Sequence, residues 1–111
     1  LDRRADAGDV VQRQRLTGTR LFRPPYGQLK RSQYRALVEQ KYRIVMWDVI
    51  SYDYEKISPE HCLANVLGHT QNGSVVLFHD NLKAEANLRY ALPRVLKHFS
   101  DLDYTFKTIQ P

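Results

Sequence analysis

Two kinds of apolar run alternate along this chain, spaced stripes and short continuous stretches. Leu1, Ala5, Val10 and Val11 stand spaced among charges, which predicts a helix over residues 1 to 15, and Thr17-Gly18-Thr19 breaks it. Leu21 and Phe22 make a short apolar strand, ended by Pro24-Pro25-Tyr26-Gly27. Two prolines and a glycine cannot continue regular structure, so this is a fixed loop. Ser32 is the expected N-cap of the next helix, whose apolar stripe is Tyr34, Leu37 and Val38. Ile44-Val45-Met46-Trp47 is a continuous run, the mark of a strand covered on both faces, and a polar, aromatic loop follows from Asp48 to Ile57.

Ser58-Pro59-Glu60 combines a cap, a proline at the first helical position and an acid in the first turn. The helix it starts runs through Leu63, Val66 and Leu67 and is expected to end near Asn72-Gly73. Val75-Val76-Leu77-Phe78 is the next strand. A helix carrying Leu88, Ala91, Leu92, Val95, Leu96 and Phe99 follows, with a kink or restart expected at Pro93, and Tyr104 to Ile109 closes as a strand. The order α-β-α-β-α-β-α-β predicts an α/β fold of parallel βαβ units with right-handed crossovers.

Composition changes this picture little. The 111 residues suffice for one domain, and 42% hydrophobic with 26% charged residues is ordinary for a globular protein. No apolar run approaches the roughly 20 residues of a membrane span. The net charge of +5 is concentrated early, at Arg3, Arg4, Arg13, Arg15, Arg20, Arg23, Lys30, Arg31 and Arg35. Without an aromatic ladder or Gly-rich motif, this reads as a solvated basic face and not as a nucleic-acid site. Cys62 is the single cysteine, which excludes an internal disulfide, and its helical neighbours Leu63 and Val66 make it a small buried or half-buried thiol. The chain starts at Leu1, not at methionine, and shows no signal-peptide pattern; it reads as cut at its N-terminus.

Ligand sites in parallel α/β sheets form at the carboxyl ends of the strands. Three strands end here in polar groups: Arg23-Pro24-Pro25-Tyr26-Gly27, then Trp47-Asp48 with its continuation Ser51-Tyr52-Asp53-Tyr54, then His79-Asp80. Taken singly, Arg23 could be a surface charge, Asp48 and Asp53 turn-formers, and His79-Asp80 a capped strand end. Taken together, an Arg, a His and two carboxylates at equivalent strand ends point to one functional rim.

These motifs resemble those of the polysaccharide deacetylases, the NodB-homology domain of carbohydrate esterase family 4. Arg23 to Gly27 matches the family's R-x-P-Y-G, Trp47 to Tyr54 resembles its fourth motif, and Val75 to Asp80 matches the fifth, an apolar strand with Leu two before His-Asp. The resemblance runs from about Leu16 to Ile109. It implies that residues 1 to 111 form part of a distorted, incomplete (β/α) barrel, and that the activity is metal-dependent deacetylation of an N-acetylated polysaccharide or oligosaccharide, chitin-like or peptidoglycan. His79 would be the general acid. Asp53 would hold and charge-pair it, Arg23 would orient a base carboxylate, and the Tyr26 N–H, set by Pro25, would donate to the oxyanion. Leu77, Tyr54, Pro25 and Trp47 would line the substrate pocket; Tyr54 replaces the family's usual Trp. Asp48 and Asp80 are structural candidates.

The family's first two motifs, a T-F-D-D-G-like strand end and two His four apart, do not appear in the sequence. His61 and His69 are eight apart, too far along one helix to share a metal, and with His98 they read as surface or half-buried histidines. No metal ligand set is therefore assigned; a divalent metal, zinc by resemblance, is expected in the full-length parent and none in this chain alone. Two readings stay open: a fragment inactive by itself, or a non-catalytic homologue that binds glycan. A cell-envelope or secreted setting is implied by the resemblance only.

Overall fold

The computed structural model describes residues 18–109. The helix expected over residues 1 to 15, with Arg3, Arg4, Arg13 and Arg15, lies outside them. The chain divides into two compact units, one made of Leu1–Met46 with Ile109–Pro111, the other of Trp47–Thr108.

The first unit is a single βαβ. Strand β1 (Leu21–Phe22) pairs in parallel with β2 (Arg43–Ile44), Leu21 opposite Arg43 and Phe22 opposite Ile44, and helix α1 (Arg31–Glu39) makes the crossover. Hydrogen bonds from the Arg43 N–H to Arg20 O (2.9 Å) and from the Val45 N–H to Phe22 O (2.7 Å) extend the pairing. Phe22, Leu37 and Tyr42 are buried together, with Leu29 and Ile44 against them. Burying an apolar side chain such as Phe22 or Leu37 contributes about 1.5–3 kcal/mol, against about 0.5–1.5 kcal/mol for each ladder bond. Helix α1 begins two residues earlier than Ser32 suggested: Lys30 is the N-cap, and its N–H donates to Gln33 Oε1 at 2.9 Å, so a first-turn glutamine closes the end that Ser32 was expected to close.

The second unit is another βαβ with a helix added. Strand β3 (Val49–Ile50) pairs in parallel with β4 (Val76–Leu77), Val49 opposite Val76 and Ile50 opposite Leu77; α2 (Pro59–Leu67) connects them and α3 (Glu85–Asp101) follows. Val66, Val95 and Phe99 form its buried centre, flanked by Leu63, Leu67, Val76, Phe78 and Tyr104. Ser58 caps α2 as expected, its hydroxyl accepting from the His61 N–H at 3.1 Å, with Pro59 in the first turn.

Four expected boundaries are corrected. The run Ile44 to Trp47 is not one strand: β2 stops at Ile44, Met46 is exposed, and a new strand begins at Val49. The break spans residues 45 to 48 and ends at Asp48, whose Oδ1 accepts the Val75 N–H at 2.6 Å and so ties the chain to the start of β4. Helix α2 ends at Leu67, well before Asn72-Gly73, because Gly68 and Thr70 N–H groups close its last carbonyls at Ala64 and Val66. Helix α3 runs unbroken through Pro93 without the expected restart. Tyr104 to Ile109 is not a strand: Asp103 turns at φ 63°, the Tyr104 N–H returns to Phe99 O at 2.9 Å, and Thr105 to Ile109 are exposed with no strand partner among the described residues. No helix among the described residues is long and apolar enough to cross a membrane.

Removing the α2 cap with Ser58→Ala is expected to lower stability by about 1 kcal/mol, seen as a lower urea midpoint at unchanged slope.

Candidate active site

In the second unit, Asp53 follows the carboxyl end of β3 and His79 that of β4, its parallel neighbour. Adjacent parallel strands deliver their next loops to the same edge, which is why residues 26 apart in sequence meet. Asp53 is fully buried. Its Oδ1 lies 2.8 Å from His79 Nδ1, and its Oδ2 accepts the His79 main-chain N–H at 2.7 Å. One carboxylate therefore grips one residue twice, by ring and by backbone. An ionised carboxylate only accepts, so Nδ1 carries the proton, and Nε2 is the ring nitrogen left to act on a ligand. The His79 side chain keeps 32% of its surface exposed, enough for Nε2 to be reached.

The ring is also held from the side. Tyr54 packs edge-on against His79, centroids 4.8 Å apart at 70°. Burial first, then the charges of Glu55, Tyr52 and Asp53, push the Tyr54 hydroxyl above its ordinary range, so it stays protonated at neutral pH. Leu77 is buried just before this pair and Trp47 is half-buried in the same unit.

The loop that carries Asp53 is shaped by groups the sequence reading passed over. Ser51, fully buried, takes the Asp53 N–H on its Oγ at 3.3 Å. Asn65 of α2 donates to Ser51 O at 3.0 Å. Asn87 of α3, also buried, sends its Nδ2 toward Asp53 O (3.2 Å), Glu55 O (3.4 Å) and Ile57 O (3.4 Å). The available signal was an asparagine on the apolar stripe Ala84, Ala91, Val95 and Phe99, where a polar side chain needs a partner.

The first unit holds the other motif residues. Pro25–Gly27 is a single 3₁₀ turn in which the Gly27 N–H bonds Pro24 O (3.0 Å) and the Gln28 N–H bonds Pro25 O (3.1 Å). These two bonds leave the Tyr26 N–H outside the turn. Tyr26 sits at φ 58°, ψ 16°, a left-handed conformation rare for a residue with a side chain, and its ring is 74% exposed. Pro25 precedes it half-buried, and Arg23 Nε donates to Val45 O at 3.2 Å. Asp48 serves the β3–β4 junction described above, and Asp80 is exposed. His69 lies beyond the end of α2 with Nδ1 at 2.8 Å from Asn65 O, and His98 packs edge-on against Phe99. Among the described residues no group of three or more His, Cys, Asp or Glu could hold a metal ion.

The described residues define a mixed α/β chain of parallel strand pairs, with an Asp-His pair at the carboxyl edge of the second pair. No family model matches the chain. In sequence it is similar to the peptidoglycan-N-acetylglucosamine deacetylase of Bacillus cereus, 39% identical over 60 residues that make up 54% of this chain and 22% of that protein. It is similar also to the bifunctional xylanase/xylan deacetylase of Cellvibrio japonicus, 40% identical over 67 residues, 60% of this chain and 10% of that protein. In structure it matches the family 4 carbohydrate esterase from Streptomyces lividans solved with acetate, at a TM-score of 0.69 and 27% identity over 82% of this chain and 45% of that one. A family 4 pseudoenzyme from Bacillus anthracis shares the fold at a TM-score of 0.62 and 21% identity, over 77% of this chain and 31% of that one. The chain spans less than half the length of each of these relatives. The likeness to polysaccharide deacetylases read from the three motifs thus holds in sequence and in structure.

Cys62 is fully buried beneath this loop, and burial first, then the charge of Asp53, push its thiol above the ordinary range while a hydrogen bond with Ser51 pulls the other way. The thiolate is the reactive form, so alkylation should begin at higher pH than for a free cysteine. With a thiol-specific reagent at pH 8, Cys62 is expected to react slowly in the native protein and fast in urea.

Proposed function

We propose that the protein carrying this chain hydrolyses the carbon–nitrogen amide bond of an N-acetylated polysaccharide or oligosaccharide, chitin-like or peptidoglycan, with His79 as general acid. The single observation that carries this reading is the double hold of buried Asp53 on His79. It fixes the ring's tautomer and leaves Nε2 as the working nitrogen. When water has added to the acetyl carbon, the C–N bond breaks as the protonated Nε2 gives its hydrogen to the departing amine. Acetate and the free amino sugar are the products. Asp53 offsets the positive charge of the protonated ring throughout.

Leu77, Tyr54 and Trp47 offer apolar surface beside the ring in this reading, and Tyr54 in place of a larger indole alters the room for substrate. Arg23 and the Tyr26 N–H keep the parts the resemblance implies, one orienting a carboxylate, the other donating to an oxyanion. The described residues do not fit a divalent metal, and no step above passes through one. A metal-dependent parent enzyme, with zinc held by residues other than those described and a fuller (β/α) barrel around them, belongs to the same proposal. So do an inactive isolated 111-residue chain and a cell-envelope or secreted setting. The second reading, a homologue that binds glycan without catalysis, is favoured by the existence of a pseudoenzyme with this fold.

His79→Ala in the whole protein is expected to lower kcat for acetate release from a chitin oligomer or peptidoglycan by about 10²–10⁴-fold. Tight glycan binding by the unaltered protein with no acetate released would reject the enzyme in favour of the binding module.

A further inference from the structure

We propose that Asn87 is a positioning residue for the Asp53–His79 pair, setting the loop that aims the carboxylate. This deepens the reading of His79 as the acid and rests on it for its catalytic consequence, though not for its structural one.

The loop from Ser51 to Ile57 leaves β3 and has no strand to satisfy its carbonyls. Its main chain takes an unfavourable path at the critical point: Tyr52, immediately before Asp53, sits at φ 59°. A side-chain-bearing residue there costs on the order of 1 kcal/mol or more and persists only where its surroundings impose it. The surroundings are two asparagines from two helices. Asn65 grips Ser51 O just before the strained residue at 3.0 Å, and Asn87 reaches the carbonyls of Asp53, Glu55 and Ile57 after it. Of the three Asn87 contacts the 3.2 Å one is to Asp53 itself. Two amide hydrogens serving three carbonyls gather the loop about a single buried point.

Geometry makes this consequential for His79. Asp53 must place one oxygen on a ring nitrogen and the other on a main-chain N–H of the same residue, at 2.8 and 2.7 Å. The side chain has only two rotatable bonds with which to do so. A displaced backbone at Asp53 therefore forfeits one contact or both. Asn87 touches neither His79 nor, in this reading, the substrate; it acts through the position of Asp53.

The test uses Asn87→Leu, which keeps volume and loses the donors, and Asn87→Ser, which is smaller and keeps one, with Asp53→Asn as reference. The first readout is the proton on His79 Nδ1, followed by NMR through its ¹⁵N correlation and its exchange with water, which needs no turnover. Asn87→Leu is expected to fold, judged by circular dichroism, and to lose that protected proton as Asp53→Asn does, with partial recovery in Asn87→Ser. The second readout is steady-state kinetics, with kcat down on the order of tenfold and KM little changed. An undisturbed His79 Nδ1 proton in folded Asn87→Leu would overturn the proposal, and so would loss of fold in both Asn87 variants, which would make the residue simply structural. Absence of deacetylase activity in the whole unaltered protein, with the expected NMR change in the variants, would refute the acid role and leave the positioning role standing.

Discussion

Everything of chemical interest in this molecule depends on one fully buried carboxylate having enough to hold. Stripping water from an ionised Asp costs several kcal/mol, and only good geometry offsets it. Asp53 finds both partners on a single residue, the ring and the main chain of His79. For that to happen two adjacent parallel strands must end in register, so that the loop after Ile50 and the residue after Phe78 come to one place. Helix α2, beyond its part as the crossover, carries Asn65, and helix α3 carries Asn87; the two side chains fix the loop.

The strand pairs themselves are very short, two residues each. Few ladder bonds hold them, so their register is set mainly by the apolar side chains beneath: Phe22 and Leu37 in one unit, Val66, Val95 and Phe99 in the other. The two units repeat the same plan, strand, helix, parallel strand, with a candidate motif at a strand's carboxyl end each time. In the first, the motif is a turn whose strained Tyr26 is enforced by the proline before it and the glycine after it. In the second, strain at Tyr52 is enforced from a distance by side chains. Local chemistry does the work in one case and tertiary structure in the other.

That contrast explains what could be read from the amino acids. The turn at Arg23 to Gly27, the cap at Ser58 and the apolar strand before His79 are written in adjacent residues, and each is found where expected. The pairing of Asp53 with His79 was implied by resemblance, and the coordinates bring those two residues together. What escaped notice was set by partners far away in sequence. Asp48, just after the apolar run Ile44 to Trp47, bonds to Val75, 27 residues on, and the next strand starts there. Tyr104 to Ile109 alternates well enough for a strand, yet a strand needs a neighbour, and Tyr104 turns back on Phe99 instead. Asn87 looks like an interruption of a helix face until its carbonyl partners, 30 to 34 residues earlier, are known.

The main-chain half of the grip on Asp53 has an evolutionary side. Any amino acid other than proline at position 79 would still offer its N–H to Oδ2, so the buried carboxylate would never be wholly abandoned. The histidine ring can therefore be exchanged while the loop and the asparagines that hold its carbonyls endure. An architecture of this kind separates the keeping of a loop from the keeping of the ring nitrogen that the loop aims.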